Sequence, residues 1–247
     1  MNVQNIPRNQ KDVKRAFVPK LDAFLFFDYK AIEVRLLAYY LARGIMDHSL
    51  ANEINHGADP HTVTARGLYG VDHVTDEQRQ VGKTLNFSII YGGGTPTIMR
   101  QLGVPYKEAR RLLNAYHATR PGIKRLNESI AQALQSKGYI ISLYGRRLHV
   151  QEEHKALNAL IQGSAADLMR NAVVNVHEVL SANYDSHIVN IVHDEIIIDA
   201  NLNEIDSLVK VIPPLMGNKN VEQYVSIETD CEISRTNWAD KEEYNGD

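Results

Sequence analysis

His187-Ile-Val-Asn-Ile-Val-His193-Asp-Glu195-Ile-Ile-Ile-Asp199 consists of two β-branched runs around a short polar break. That is the pattern of two strands joined by a turn, with Asp194 and Glu195 at the tip. A second strand signal lies far upstream. Ala23-Phe-Leu-Phe-Phe27 is continuously apolar, as a strand buried on both faces must be, and it ends at Asp28. Strand ends hold side chains rigidly. Two hard divalent cations roughly 3.5 to 4 Å apart need shared carboxylate oxygens, so Asp28 and Asp194 are the candidate metal ligands. A lone aspartate at a hairpin tip is a common turn residue, so the pair carries the reading and neither acid does by itself.

Helical signals lie between and around these strands. Ile32, Leu36, Leu37 and Tyr40 recur at helical spacing, with Gly44 as the expected stop. Thr75-Asp-Glu-Gln78 has the form of a capping box and opens a helix that runs to the glycines at 92 to 94. On it Arg79, Lys83, Phe87 and Tyr91 are spaced four apart, each turned only about 40° from the last, so they form one stripe. Two cations followed by two aromatics suit a nucleoside triphosphate lying along the helix, phosphates on Arg79 and Lys83, sugar and base against Phe87 and Tyr91. Lys83 could also protonate a departing pyrophosphate. The plainer alternative is an amphipathic helix with core aromatics and solvated cations. Further helices are expected over Tyr106 to Tyr116 and Ala156 to Leu180, with a turn at Tyr144-Gly-Arg-Arg147.

The chain has 247 residues, 44% hydrophobic and 23% charged, with no repeat or low-complexity linker, which reads as one interwoven α+β globular unit. A net charge of −3 gives no global basic footprint, although Arg8, Lys11, Lys14, Arg15 and Lys20 face only Asp12 in the N-terminal stretch. The first residues contain neither a secretory signal nor a membrane span, so a cytoplasmic protein without membrane contact is expected. A single cysteine, Cys231, permits no internal disulfide and is expected to be a buried structural thiol.

Taken together, these segments resemble the three motifs of family A (polymerase I-like) DNA polymerases, phage-type members included. Asp28-Tyr-Lys-Ala-Ile-Glu33-Val-Arg35 resembles motif A, Arg79-x3-Lys83-x3-Phe87-x3-Tyr91-Gly92 motif B, and His193-Asp194-Glu195 motif C. Asn2-Val-Gln-Asn5-Ile-Pro7, Asp59-Pro-His61-Thr, Tyr144-Gly-Arg-Arg147 and Asn158-Ala-Leu-Ile-Gln162-Gly-Ser-Ala-Ala-Asp167 extend the match over nearly the whole chain. The resemblance implies a right-hand polymerase palm, an antiparallel sheet, at 1–45 and 146–247, with helical fingers at 46–145 and the motif B helix at 75–91. It implies template-directed DNA synthesis for replication. Two Mg2+ ions, replaceable by Mn2+, would be held by Asp28, Asp194 and the Tyr29 carbonyl, with Glu195 assisting.

By the same resemblance Glu33 would exclude a ribose 2′-hydroxyl, and His61, Arg79 and Lys83 would hold the triphosphate. Phe87 would pack on the sugar and disfavour dideoxynucleotides, while Tyr91 and Gly92 would check the nascent pair. Asn2, Asn5, Arg35, Asn158, Gln162 and His193 would touch primer-template DNA. The implied partners are dNTPs, primer-template DNA and a separate polypeptide supplying thumb and exonuclease, since the match begins at Met1 as in a split or truncated enzyme. A bacterial host cytoplasm or nucleoid would be the setting. Lys30, Ala31, Gly82, Ser88 and His154 depart from the usual motif residues, and Gly82 is expected to soften its helix by about 1 kcal/mol. A single-subunit RNA polymerase is the first rival, opposed by Glu33 and Glu195; a non-catalytic DNA-binding or assembly subunit is the second.

Overall fold

The computed structural model describes residues 6–7 and 10–244. Along the chain come α1 (Lys11–Arg15), β1 (Ala23–Tyr29) and α2 (Ile32–Ile45). Six helices follow: α3 (Ser49–Asn55), α4 (Pro60–Tyr69), α5 (Asp76–Ile90), α6 (Thr95–Leu102), α7 (Tyr106–Thr119) and α8 (Pro121–Lys137). Short strands β2 (Ile140–Ile141) and β3 (Arg147–Leu148) lead into α9 (Ala156–Asn183), β4 (His187–Val192) and β5 (Glu195–Ala200). The chain continues through α10 (Ile205–Leu215), α11 (Lys219–Glu222), β6 (Thr229–Ser234) and β7 (Glu242–Glu243). This is the α+β architecture expected from the sequence, and no described helix is long and apolar enough to cross a membrane.

Two compact units divide these elements, one of residues 1–30, 168–218 and 227–247, the other of 31–167 and 219–226. The first is built on an antiparallel sheet of order β4-β5-β1-β6-β7. β1 lies in the middle, paired with β5 and β6, which is why Ala23 to Phe27 must be apolar on both faces. Phe24 and Phe26 share one face with Ile197 and Trp238, against which Phe17 packs edge-on at 5.5 Å. Leu25 and Phe27, fully buried, alternate to the other. Each such side chain contributes about 1.5–3 kcal/mol by leaving water. The Tyr29 hydroxyl donates to the Met216 carbonyl at 2.7 Å, tying the end of β1 to the end of α10.

The second unit is helical apart from the β2–β3 hairpin. α2 is buried almost all round, from Ile32 and Val34 through Ala42, as a central helix must be. It does not stop at Gly44 as the sequence suggests. It continues to Ile45 and closes at left-handed Met46, whose N–H bonds to the Leu41 carbonyl. A glycine weakens a helix without ending it when neighbouring turns are packed. The capping box at Thr75 and Gln78 is formed in both directions. Gly82, expected to be a soft spot, is instead a close-packing contact. A Cβ there would lie 2.4 Å from the His61 carbonyl oxygen, so only glycine lets α5 lie this tightly on α4.

Candidate active site

In the sheet unit, the β4–β5 hairpin turns at His193 and Asp194, both exposed, with His193 at φ 57. A non-glycine residue there is strained, and such strain concentrates at functional sites. Asp28 pairs in register with Glu195 on one side and Asp230 on the other. The Tyr29 N–H reaches the Asp194 carbonyl at 3.4 Å, so Asp28, Tyr29, Asp194 and Glu195 meet at one end of the sheet. Glu195 is not an exposed tip residue. It begins β5, and the Lys241 ammonium forms an ion pair with it.

Among the described residues no group of three or more His, Cys, Asp and Glu forms a cage for a metal. Two carboxylates and a backbone carbonyl are hard oxygen donors, and Mg2+ is held in that way, by one or two protein carboxylates with substrate phosphates completing the shell. The donor set therefore fits Mg2+. Cys231 offers no competing soft ligand, because burial pushes its thiol up to about 12.

In the helical unit, the α5 stripe faces outward. Lys83 and Tyr91 are exposed, Arg79 and Phe87 half-buried, and the core side of the helix is made by Leu85, Asn86, Ser88, Ile89 and Ile90. The aromatics are therefore not core residues. Phe87 and Tyr91 stack with planes 16° apart and centroids 6.1 Å apart. The Tyr91 hydroxyl donates to the Glu33 carboxylate at 3.0 and 3.1 Å, joining motif A to motif B.

Arg79 is aimed by Asp59, which the sequence offers within Asp59-Pro-His61-Thr without a role of its own. Asp59 accepts from Nε and Nη2 of Arg79, both at 2.9 Å, and from the Thr62 N–H as the N-cap of α4. Partial burial alone would raise the Asp59 carboxyl, yet the bonds from Arg79 and Thr62 hold it down at about 2. The available signal was Asp59 directly before Pro60, an N-cap followed by N1 proline. His61 is 5% exposed and takes a hydrogen bond at Nδ1 from the Asn86 amide at 3.1 Å, 5.8 Å from the Phe87 ring. Burial lowers it to about 4, so it acts as a neutral Nε2–H donor. Asn86 is itself satisfied by the hydroxyls of Thr64 and Tyr116, each at 3.0 Å, a buried network that locks α4, α5 and α7.

The candidate DNA contacts divide. Asn2 and Asn5 lie outside the described residues. Gln162 is exposed, Asn158 half-buried one turn earlier on α9, and the Asn158 Oδ1 is buried without a hydrogen-bond partner among the described residues. Gly92 adopts φ 71, and a Cβ there would lie 2.3 Å from the His154 carbonyl oxygen, so the glycine is required by the backbone. Arg35 is 4% exposed, and its Nη1 donates to the carbonyl and hydroxyl of Ser226 at 2.6 and 2.9 Å, which anchors residues 219–226.

Comparison with known proteins matches residues 1–240 to the family described as DNA polymerase family A. The chain is 33% identical to DNA polymerase I of Lactococcus lactis over 95% of its own length and 28% of that protein. It is 34% identical to DNA polymerase I of Deinococcus radiodurans over 88% of its length and 24% of that protein. Among solved structures, the POL domain of Pol1 from M. smegmatis, in complex with DNA primer-template and dNTP, matches 96% of this chain and 44% of that one. The TM-score is 0.85 and the identity 28%. The chain thus spans less than a third of the length of those curated relatives.

Proposed function

We propose, from the premise that this chain belongs to DNA polymerase family A, that it extends a primer 3′-end with deoxynucleotides on a DNA template. The observation that carries the reading is the register that sets Asp28 and Asp194 at one end of the sheet through the Tyr29 N–H to Asp194 carbonyl bond. Asp28, Asp194 and the Tyr29 carbonyl would hold two Mg2+ ions. Bound there, the ions would lower the pKa of the 3′-hydroxyl and neutralise the triphosphate. The 3′-hydroxyl loses its proton to solvent, its oxygen bonds to the α-phosphorus as the bond to pyrophosphate breaks, and Lys83 donates the proton the leaving group needs.

Arg79, aimed by Asp59, and the neutral His61 hold phosphate oxygens. Phe87 packs on the sugar. Glu33, restrained by Tyr91, is read as a steric gate, a carboxylate packed below the sugar that rejects a ribose 2′-hydroxyl and so selects deoxynucleotides. The palm is assigned to 1–45 and 146–247 and the fingers to 46–145. Gln162, Asn158, His193 and Gly92 are the candidate contacts to primer-template DNA. Primer extension with Mg2+ tests the whole reading. Asp28→Asn and Asp194→Asn are each expected to lower kcat by about a hundredfold to a thousandfold, as loss of a group acting on transition-state charge does, and rNTPs should be poor substrates. Extension that survives both substitutions, or that prefers rNTPs, removes it.

A further inference from the structure

Three acids stand side by side across the sheet. Glu195 on β5, Asp28 on β1 and Asp230 on β6 are register partners, so their side chains project from the same face, an arrangement of like charges that costs stability unless it is relieved. The two outer acids each have a lysine. Lys30 meets Asp230 at 2.7 Å in an exposed pair, whereas Lys241 and Glu195 are much less accessible, at 21% and 12% for their side chains. The Lys241 ammonium also reaches Glu232 at 3.4 Å and lies 4.0 Å from the centre of the Phe26 ring, so it is confined on several sides.

Its backbone is equally fixed. The following residues form β7, paired with β6 through Glu232 with Glu243 and Ile233 with Glu242. Beyond them the Tyr244 N–H bonds to the Cys231 carbonyl at 3.1 Å and its hydroxyl to Asp206 at 2.5 Å. A lysine on an exposed, loosely held tail would contribute little; one held directly before a paired strand and partly desolvated keeps its charge at one place.

We propose that Lys241 is a positioning residue that sets the metal affinity of the Asp28–Asp194 pair by neutralising Glu195 and holding it on the sheet. The inference rests on the reading of Asp28 and Asp194 as metal ligands. Glu195 directly follows Asp194 and lies opposite Asp28, so its charge bears on both ligands. With Lys241 in place the two charges cancel, and divalent cations meet two carboxylates in place of three. A site that binds too tightly would retain metal and pyrophosphate after each addition, so this cancellation favours turnover.

The signs of the variants follow. Lys241→Met leaves Glu195 uncompensated and tightens cation binding; Glu195→Gln leaves Lys241 uncompensated and weakens it; the double variant restores the balance. Mn2+ itself is the probe, its free concentration read from its electron paramagnetic resonance signal in titrations of the DNA-free full chain. Lys241→Met is expected to bind roughly threefold to tenfold more tightly and Glu195→Gln more weakly by a similar factor, the scale of one partly screened charge pair. The double variant should fall within about twofold of the wild type on the same reasoning. A folded Lys241→Met with unchanged or weaker Mn2+ binding overturns the proposal. Should that variant fail to fold by circular dichroism, an unchanged affinity in Glu195→Gln overturns it equally. Asp28→Asn separates the two readings: wild-type Mn2+ binding there rejects the metal site itself, while its loss alongside an unaltered Lys241→Met rejects only the role of Lys241.

Discussion

His61 can do its proposed work only as an uncharged donor, and that condition has a measurable consequence. Loss of solvent is the main reason its pKa falls to about 4; the Asp59 charge opposes the fall, and Arg79 and Lys83 add to it. Its folded value thus lies below the unfolded one of about 6.5, so between pH 6.5 and 4 the unfolded chain binds a proton that the folded one refuses. Stability is complete above pH 6.5 and is lost as the pH falls toward 4, by about 2–3 kcal/mol from this residue. Urea midpoints measured across that window should decline for the wild type and decline less for His61→Gln; parallel curves would exclude the effect. Asp59 offers the sharper functional test. Asn caps a helix about as well as Asp, so Asp59→Asn keeps the α4 cap and removes the charged, two-pronged hold on Arg79. The KM for dNTP should rise about tenfold, the equivalent of one charge-assisted bond, while the melting temperature moves only a few degrees. A variant with wild-type KM would show that Arg79 needs no aiming.

At the scale of elements, the helix pair α4–α5 shows what patterning can and cannot disclose. Its cap was legible because Thr75 and Gln78 form a local pair, and its outward stripe because side chains four apart share a face. The strands were legible for the same local reason: runs such as Ala23 to Phe27 suit only a position buried on both faces. Gly82 could not be read in this way. Its meaning lies in His61 and Ala65, about twenty residues away in sequence and in contact only once α4 crosses α5. The Asp59 to Arg79 clamp, the Asn86 network and the interior seat of Arg35 were hidden for that reason too, since each joins residues from different elements. Gly82→Ala is therefore expected to destabilise by about 1–3 kcal/mol, the range for overpacking, although alanine is the better helix former. Thermal unfolding decides the matter: a variant as stable as the wild type or more so would mean that the helices separate at no cost.

For the molecule as a whole, the informative property is where charge lies. The chain carries a net charge of −3, yet the sheet end gathers Asp28, Asp194, Glu195, Asp230 and Glu232, with Lys30 and Lys241 matched to acids there. The two units also interleave along the sequence, with boundaries near residues 30, 167, 218 and 226, one of them inside α9, so no composition shift marks them. A duplex meeting such a molecule finds local cations instead of a uniformly basic surface. Each phosphate neutralised contributes about −0.9 to the slope of log K against log salt concentration for duplex DNA. Exposed cations such as Lys107, Arg110, Lys137, Arg147 and Lys210 are scattered over several elements and do not form one stripe, so the 247-residue chain is expected to bind primer-template weakly, with a slope no steeper than about −4. Fluorescence anisotropy of a labelled primer-template between about 50 and 200 mM salt measures this directly. A slope near −8 would require contacts to some nine phosphates and would rule out weak binding through scattered cations. Added dNTP should raise the affinity without steepening the slope, because Arg79 and Lys83 then meet the triphosphate and not the duplex.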